Sequence, residues 1–462
     1  MSVIYKTNVR LPCTDDPVEN SQWPRLTEDD YRCRIDRLLT AIDESFTHMI
    51  FYGDREHFSN IEYLTGYDPR FEEALLIIDR VTQQPMLIVG NEGWDYADKI
   101  PYRIRKRRYT SFSLPNQPYN ELPTLQLLFS EAGIERGSKV ALFGWKLFAR
   151  NEQERVRMHD MPYYLVQTLA DIVGHDQLYT MNHLMIADGL GLRETLEAKE
   201  LVLAEINGTR ASRAVLNALS ALRVGMSELD ASANLGIDGY PLSIHPNVNF
   251  GERAFLGLAS PEAQNVLAEG DIVCVGMGYR RALCHKVGLY VKDPSQVPKA
   301  SDDVFRRYFS ALTAWYENLD IGVTGGDVYK AIVRAVGDLE RFGIGLNPGH
   351  AIHTEEWINS PFYKDSRAKI HSGMLLQCDF SVFLPEQNIA VHAEDGVIVA
   401  DEQMQEEILR VSPASYARMR KRQKFMRDTL GIRVRDGVFP TSDMPAVIFP
   451  CMMDLECVYA NA

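Results

Sequence analysis

The chain has 462 residues, 45% hydrophobic and 24% charged, which is ordinary globular usage and enough length for two or three domains. The charge balance is 49 − 63 = −14, and this acidic excess argues against a general nucleic-acid or anionic-membrane binder, since phosphate binding needs surplus Lys and Arg. Seven cysteines occur without a CxxC pair or zinc-ribbon spacing, so the expectation is reduced thiols in a cytoplasmic protein. No apolar run approaches the roughly 18 residues of a membrane span. The opening MSVIYKTNVR shows no targeting pattern.

From the start of the chain, apolar runs at 49–52, 74–78, 86–89 and 140–143 predict buried strands. Helical spacing at 29–44 (Tyr31, Ile35, Leu38, Leu39, Ile42), then at 123–132 and 162–173, predicts helices between them. Strands alternating with helices indicate an α/β domain. The basic run YRIRKRRY at 102–109 reads as a solvated edge strand, with an anionic-ligand site as the alternative. A long helix is predicted over 194–222, with Gly225 closing it. Helices at 302–319 and 326–342 follow, with strands at 272–276, 287–291, 374–380 and 396–399. This second pattern is α+β, so the boundary is placed near 185: an N-terminal α/β domain over 1–185 and an α+β domain over 186–462. A C-terminal extension over about 411–462 carries a basic helix (416–430) and strand-like pieces at 446–449 and 455–459. It is expected to pack on its domain or at a dimer interface.

Three polar residues stand in otherwise apolar settings: His350 after a Pro-Gly turn, Asp379 in an apolar strand and Glu394 at a strand start. Buried carboxylates need a cation or strong hydrogen bonds. Each residue alone is more often structural than catalytic. In combination, their order and spacing resemble the pita-bread superfamily of methionine aminopeptidase, aminopeptidase P, prolidase and creatinase. Gly270, Asp271, Val273 and Gly278 match the frame of its GD-x-V-x-x-D-x-G strand. Pro348, Gly349 and His350 match the end of its G-x-G-H turn. Gly373 and Met374 match its G-M-x-x-x-x-E-P motif, with Asp379 at the Glu. Glu394, Asp395, Val397 and Val399 match x-E-D-x-V-x-V. The match covers about 190–410. It implies a creatinase-like α/β domain followed by a pita-bread α+β domain, as in the Xaa-Pro peptidases and creatinase.

The resemblance also implies two metal ions held by two Asp, one His and two Glu, and here the chain departs from it. The first Asp position is Gly276, and the second falls within Cys284-His285-Lys286, so neither is a carboxylate. The expectation is therefore no dinuclear centre and no metal, with Lys286 supplying positive charge where a metal would sit. An exposed strand lysine is the alternative for Lys286. A single divalent ion (Mn, Zn or Co) held by His350, Asp379, Glu394 and His285 is the lesser alternative. The metal-free route of creatinase cannot be carried over whole. Its base histidine falls on Ala259 and the family's second histidine on Trp357.

His245, His285, His353 and His392 remain as candidate bases, and strand alternation puts His392 on one face with Glu394. The catalytic candidates are His350, His392, Glu394 and Asp379. The substrate-binding candidates are Lys286, Arg253, Trp357, His353 and Arg70. Arg70 and Tyr67 lie in the segment that, in creatinase-like dimers, reaches the partner's pocket, so a homodimer is expected. The leading expectation is a creatinase- or prolidase-like hydrolase of a small C–N-bonded compound: an amino acid derivative, a guanidino compound or a dipeptide-like molecule. A silent relative that binds a small ligand is the second reading, and an Xaa-Pro metallopeptidase with an altered metal site is the third. No nucleic-acid or membrane partner is expected.

Overall fold

The computed structural model describes residues 2–118, 123–149, 151–187 and 189–462. Two compact units form: Arg25–Arg193, and Glu194–Ala462 joined by the segment ending at Pro24. The opening residues thus depart from the predicted 1–185 domain. Strand Val3–Lys6 pairs antiparallel with Val458–Asn461, tying the two ends of the chain together in the larger unit.

In the smaller unit a six-stranded sheet has the order Arg105–Arg108, Pro85–Val89, Ala74–Asp79, His48–Gly53, Val140–Phe143, Leu178–Thr180. The central strands are buried on both faces, and for that reason they read as unbroken apolar runs. Helices Leu125–Glu131 and Tyr163–Val173 cover one face, with Leu128, Phe129, Leu165 and Leu169 packed on Ile77, Ile88 and Leu142. The basic run forms the edge strand, where charge discourages further pairing. Arg105 and Arg107 pair with Glu131, and Lys106 pairs with Asp98.

The larger unit is built on an eight-stranded sheet. Its main path runs His350–Ala351, Leu375–Cys378, Ile389–Val399, Ala282–Leu289, Ile272–Tyr279, Leu242–Phe250. Ser381–Leu384 and Val438–Pro440 also pair with the long Ile389–Val399 strand. Strand Leu242–Phe250 escapes a sequence reading because its first half, LSIHP, is short of full burial, ends in a proline and leaves no continuous apolar run. The predicted helix over 326–342 is two helices, Gly325–Val336 and Leu339–Phe342, with Gly337 at φ 82° between them. Such a left-handed conformation ends a helix and favours glycine. The long helix Ala198–Ala221 packs on strand Ala282–Leu289.

The C-terminal extension packs on its own unit. Arg418 and Arg422 of helix Pro413–Asp428 reach the buried Glu205 of helix Ala198–Ala221 at 2.5 and 2.7 Å, and Arg422 also holds Asp443 at 2.7 Å. Residues 446–449 are buried but form no strand. Among the described residues no helix is long and apolar enough to cross a membrane.

Candidate active site

Three local features place the site. Gly349 has φ 112°, and a Cβ there would lie 2.7 Å from the Gln377 carbonyl oxygen, so glycine is required where the chain turns into the short strand that carries His350. Asp379 follows strand Leu375–Cys378 directly. His392 and Glu394 stand two residues apart on strand Ile389–Val399, opposite Val287 and His285 of the neighbouring strand.

His350 Nε2 lies 3.2 Å from Glu356 Oε1, 3.5 Å from Asp379 Oδ2 and 3.7 Å from Glu394 Oε1. One donor atom from each of these four residues fits within 4.8 Å of the others. His350 is fully buried and Glu394 nearly so, while the side chains of Asp379 and Glu356 are 16% and 26% exposed and mark the open side. His350 Nδ1 is anchored on the Ala351 carbonyl at 3.1 Å. Its ring stacks on Trp357, with centroids 4.2 Å apart. His350 Nε2 and Glu394 Oε1 close no well-formed hydrogen bond.

Burial works against an imidazolium at His350, but Glu356, Glu394 and Asp379 together hold its pKa well above the ordinary value. Burial and the Asp379 charge push Glu394 well above the usual carboxylate range, against the pull of His350. Three carboxylates thus share one imidazole edge.

A second chain of contacts backs this cluster. Cys274 Sγ lies 2.9 Å from His285 Nε2, His285 Nδ1 lies 2.7 Å from His392 Nδ1, and His392 Nε2 lies 2.9 Å from Asp379 Oδ1. The proton positions follow from the two ends. Burial pushes the Cys274 thiol up to about 12, so it is a donor. Against its burial, the His392 hydrogen bond and the neighbouring imidazoles of His392, His350 and His285 together hold Asp379 below its ordinary pKa, so it accepts. Cys274 then donates to His285 Nε2, His285 Nδ1–H donates to His392 Nδ1, and His392 Nε2–H donates to Asp379. A neutral His285 fits this arrangement: burial, with the adjacent His392 acting in the same direction, brings its pKa down to about 3. The His285 ring lies over Gly276: a Cβ there would stand 2.2 Å from His285 Cδ2. The glycine at the first Asp position is therefore the space that this histidine needs.

The remaining candidates have partners of their own. Lys286 does not face the site. Its ammonium lies 2.7 Å from Asp395 and 2.9 Å from the Met444 carbonyl, in company with Cys284, whose Sγ is 3.8 Å from Asp395. Adjacent strand residues point to opposite faces, so His285 facing the site turns Lys286 away. Arg253 is spent on Glu228, Glu262 and the Ser260 carbonyl. His353 pairs with buried Glu200 at 3.1 Å. Arg70 lies in the smaller unit against Asp68 and Tyr96. His245 is exposed and bonds the Leu258 carbonyl at 2.9 Å. Glu356 was missed, because it sits on an irregular loop with no period to announce it. Its only signal was the local density of polar residues in HTEE, directly after His350.

Residues 206–401 match the profile of Metallopeptidase family M24. Solved structures share the fold at low identity. The Xaa-Pro dipeptidase from Bacillus anthracis is 16% identical at a TM-score of 0.61, covering 80% of this chain and 96% of that one. The prolidase from Pyrococcus horikoshii OT3 is 15% identical at 0.60, covering 79% and 95%. The dipeptidase PepE from Mycobacterium ulcerans is 17% identical at 0.62, covering 82% and 95%. No curated protein sequence matches the chain. The profile match over residues 206–401 and the two-domain architecture agree: the chain shares the fold of these Xaa-Pro dipeptidase and prolidase structures, and its larger unit carries a segment similar to Metallopeptidase family M24.

Proposed function

We propose that the chain is a peptidase-type hydrolase that cleaves a C–N bond in a small amino acid derivative or dipeptide-like substrate, at a site built for one divalent cation rather than two. The observation that carries this reading is the meeting of His350 with Glu356, Asp379 and Glu394. Three carboxylates around one imidazole leave buried negative charge, which is costly unless a cation neutralises it. Neither His350 Nε2 nor Glu394 Oε1 closes a hydrogen bond, and His350 would give up its Nε2 proton on ligation. One imidazole nitrogen with carboxylate oxygens suits Mn, Co or Zn. A second ion would fall to His285, His392 and Glu394, whose ligand atoms also lie within 4.8 Å of one another, but both imidazoles already spend their nitrogens on Cys274, each other and Asp379, and Gly276 offers no donor.

When bound, the cation supplies Lewis-acid polarisation of the scissile carbonyl. His392 fixes Asp379 through Nε2–H and keeps it ionised. Glu356, on the open side, can take a proton from an entering water and pass one to the leaving amine. Trp357, 38% exposed and stacked on His350, offers an apolar face against which a flat substrate group can rest. The test is turnover of a panel of small dipeptides and N-acyl amino acids, with chelator and with Mn(II) added back. Chelator-sensitive, Mn-restored hydrolysis that disappears in Asp379→Asn is expected. Absence of turnover across the panel in Mn-loaded protein would support a silent relative instead.

A second reading is metal-free hydrolysis with Asp379 as acid–base group, favoured by the His285–His392–Asp379 chain, in which both nitrogens of His392 are engaged and can relay a proton to and from Asp379. Turnover indifferent to chelator but lost in His392→Ala would select it.

A further inference from the structure

Besides the two groups that share Glu394, a third group of ligating atoms lies in the C-terminal extension. Cys451 Sγ, a carboxylate oxygen of Asp454 and Cys457 Sγ lie within 4.8 Å of one another. Both cysteines are buried and free, and Asp454 is half-buried. Two successive turns bring the three together. The Asp454 amide donates to the Cys451 carbonyl at 3.0 Å, and the Cys457 amide donates to the Asp454 carbonyl at 3.3 Å. Two consecutive three-residue steps return the side chains of 451, 454 and 457 to the same side. Asp454 Oδ1 is also fixed by the Glu456 amide at 3.0 Å, so the carboxylate is already oriented.

We infer that Cys451, Asp454 and Cys457 form a site for one thiophilic divalent cation, zinc in chemical class, distinct from the His350 cluster. Two sulfurs and one oxygen are a donor set for zinc or cadmium, and less so for Mn. Three donors from one short loop leave a fourth position to solvent on the half-exposed Asp454 side. Both thiols lose their protons on binding, released to solvent, so uptake liberates two protons per cation where the thiols start neutral.

The loop is also a junction. The Met452 amide donates to the Leu289 carbonyl at 2.8 Å, at the end of the strand that carries His285, and the Val9 amide donates to the Glu456 carbonyl at 2.9 Å. Strand Val458–Asn461, paired with Val3–Lys6, follows at once. A cation here would staple the closure of the two chain ends onto the main sheet. Binding to the folded loop alone would raise stability by mass action.

Cadmium tests this on the full chain, reduced and freed of small thiols. A thiolate-to-cadmium ultraviolet absorbance saturating at one equivalent is expected, together with a rise in melting temperature. Both should vanish in Cys451→Ser/Cys457→Ser and persist in Cys274→Ser. Should the double variant not fold, Asp454→Asn is expected to keep the absorbance while weakening binding about tenfold or more. In the wild-type chain, zinc should shield Cys451 and Cys457 from alkylation while exposed Cys33 reacts unchanged. No absorbance, an absorbance unchanged in the double variant, alkylation of Cys451 and Cys457 unaffected by zinc, or a Cys451–Cys457 disulfide formed in place of metal uptake would each overturn the site. None of these readouts depends on hydrolysis or on Mn at His350.

Discussion

Two buried charge clusters in the larger unit invite comparison. Around Glu205 the signs are matched. Arg418 and Arg422 face Glu205, while Arg422 and Arg213 face Asp443. The arginines outweigh the burial of Glu205 and hold its pKa below the ordinary range. Around His350 the signs are not matched, since Glu356, Asp379 and Glu394 converge on one imidazole edge and Glu394 is driven upward. The first cluster is complete as it stands and fastens the C-terminal helix to the domain. The second lacks positive charge. Burial alone does not mark a functional site, but a buried group whose charges do not close does.

The comparison can be broken by substitution. The largest expected effect is on the matched cluster. Arg422→Met leaves buried Glu205 with Arg418 alone and Asp443 with Arg213 alone, and should cost about 3 kcal/mol of unfolding free energy in denaturant titrations. Its effect on Mn(II) affinity should be nil. Lys286→Met leaves buried Asp395 with only weaker partners, among them the Ala446 amide at 3.0 Å, and should cost about 3 kcal/mol, again without changing Mn(II) affinity. If Lys286→Met instead altered metal uptake, the separation of the two faces of the strand would be wrong.

His392→Ala removes the group that orients Asp379 and should weaken Mn(II) binding roughly 10–100-fold by calorimetry, with smaller loss of stability. Gly276→Ala drives a Cβ against the His285 ring and should cost about 1–3 kcal/mol in thermal unfolding. Trp357→Leu loses only the stacked contact with His350 and should cost about 0.5–1.5 kcal/mol, read as a raised KM with kcat largely kept.

Much of this fold could be read in the chain, and particular residues show why. Gly373-Met374 and Pro348-Gly349-His350 are tied to strand starts and tight turns, whose spacing leaves a mark in sequence, whereas Glu394-Asp395 stand in the middle of strand Ile389–Val399 rather than at the expected strand start. The alternation that pairs His392 with Glu394 is likewise a local rule, and the structure keeps both on the site face. Which of Cys284, His285 and Lys286 faces the site depends on the register His285 to Gly276 and His285 to Glu394. Register is set between strands, not within one, so the Lys286 reading had no way to be decided from the strand alone. Glu356 enters from an irregular loop. The pairing of Val3–Lys6 with Val458–Asn461 joins segments at opposite ends of the chain, which no local pattern announces.

His350, Glu356, Asp379 and Glu394 are proposed to hold one cation between them. The direct measurement is Mn(II) titration of the metal-stripped full chain, with bound ion counted by electron paramagnetic resonance. One Mn(II) per chain is predicted, lost or weakened by orders of magnitude in Asp379→Asn and Glu356→Gln and unchanged in Lys286→Met. Two ions per chain, none, or one that survives both carboxylate substitutions would contradict the account.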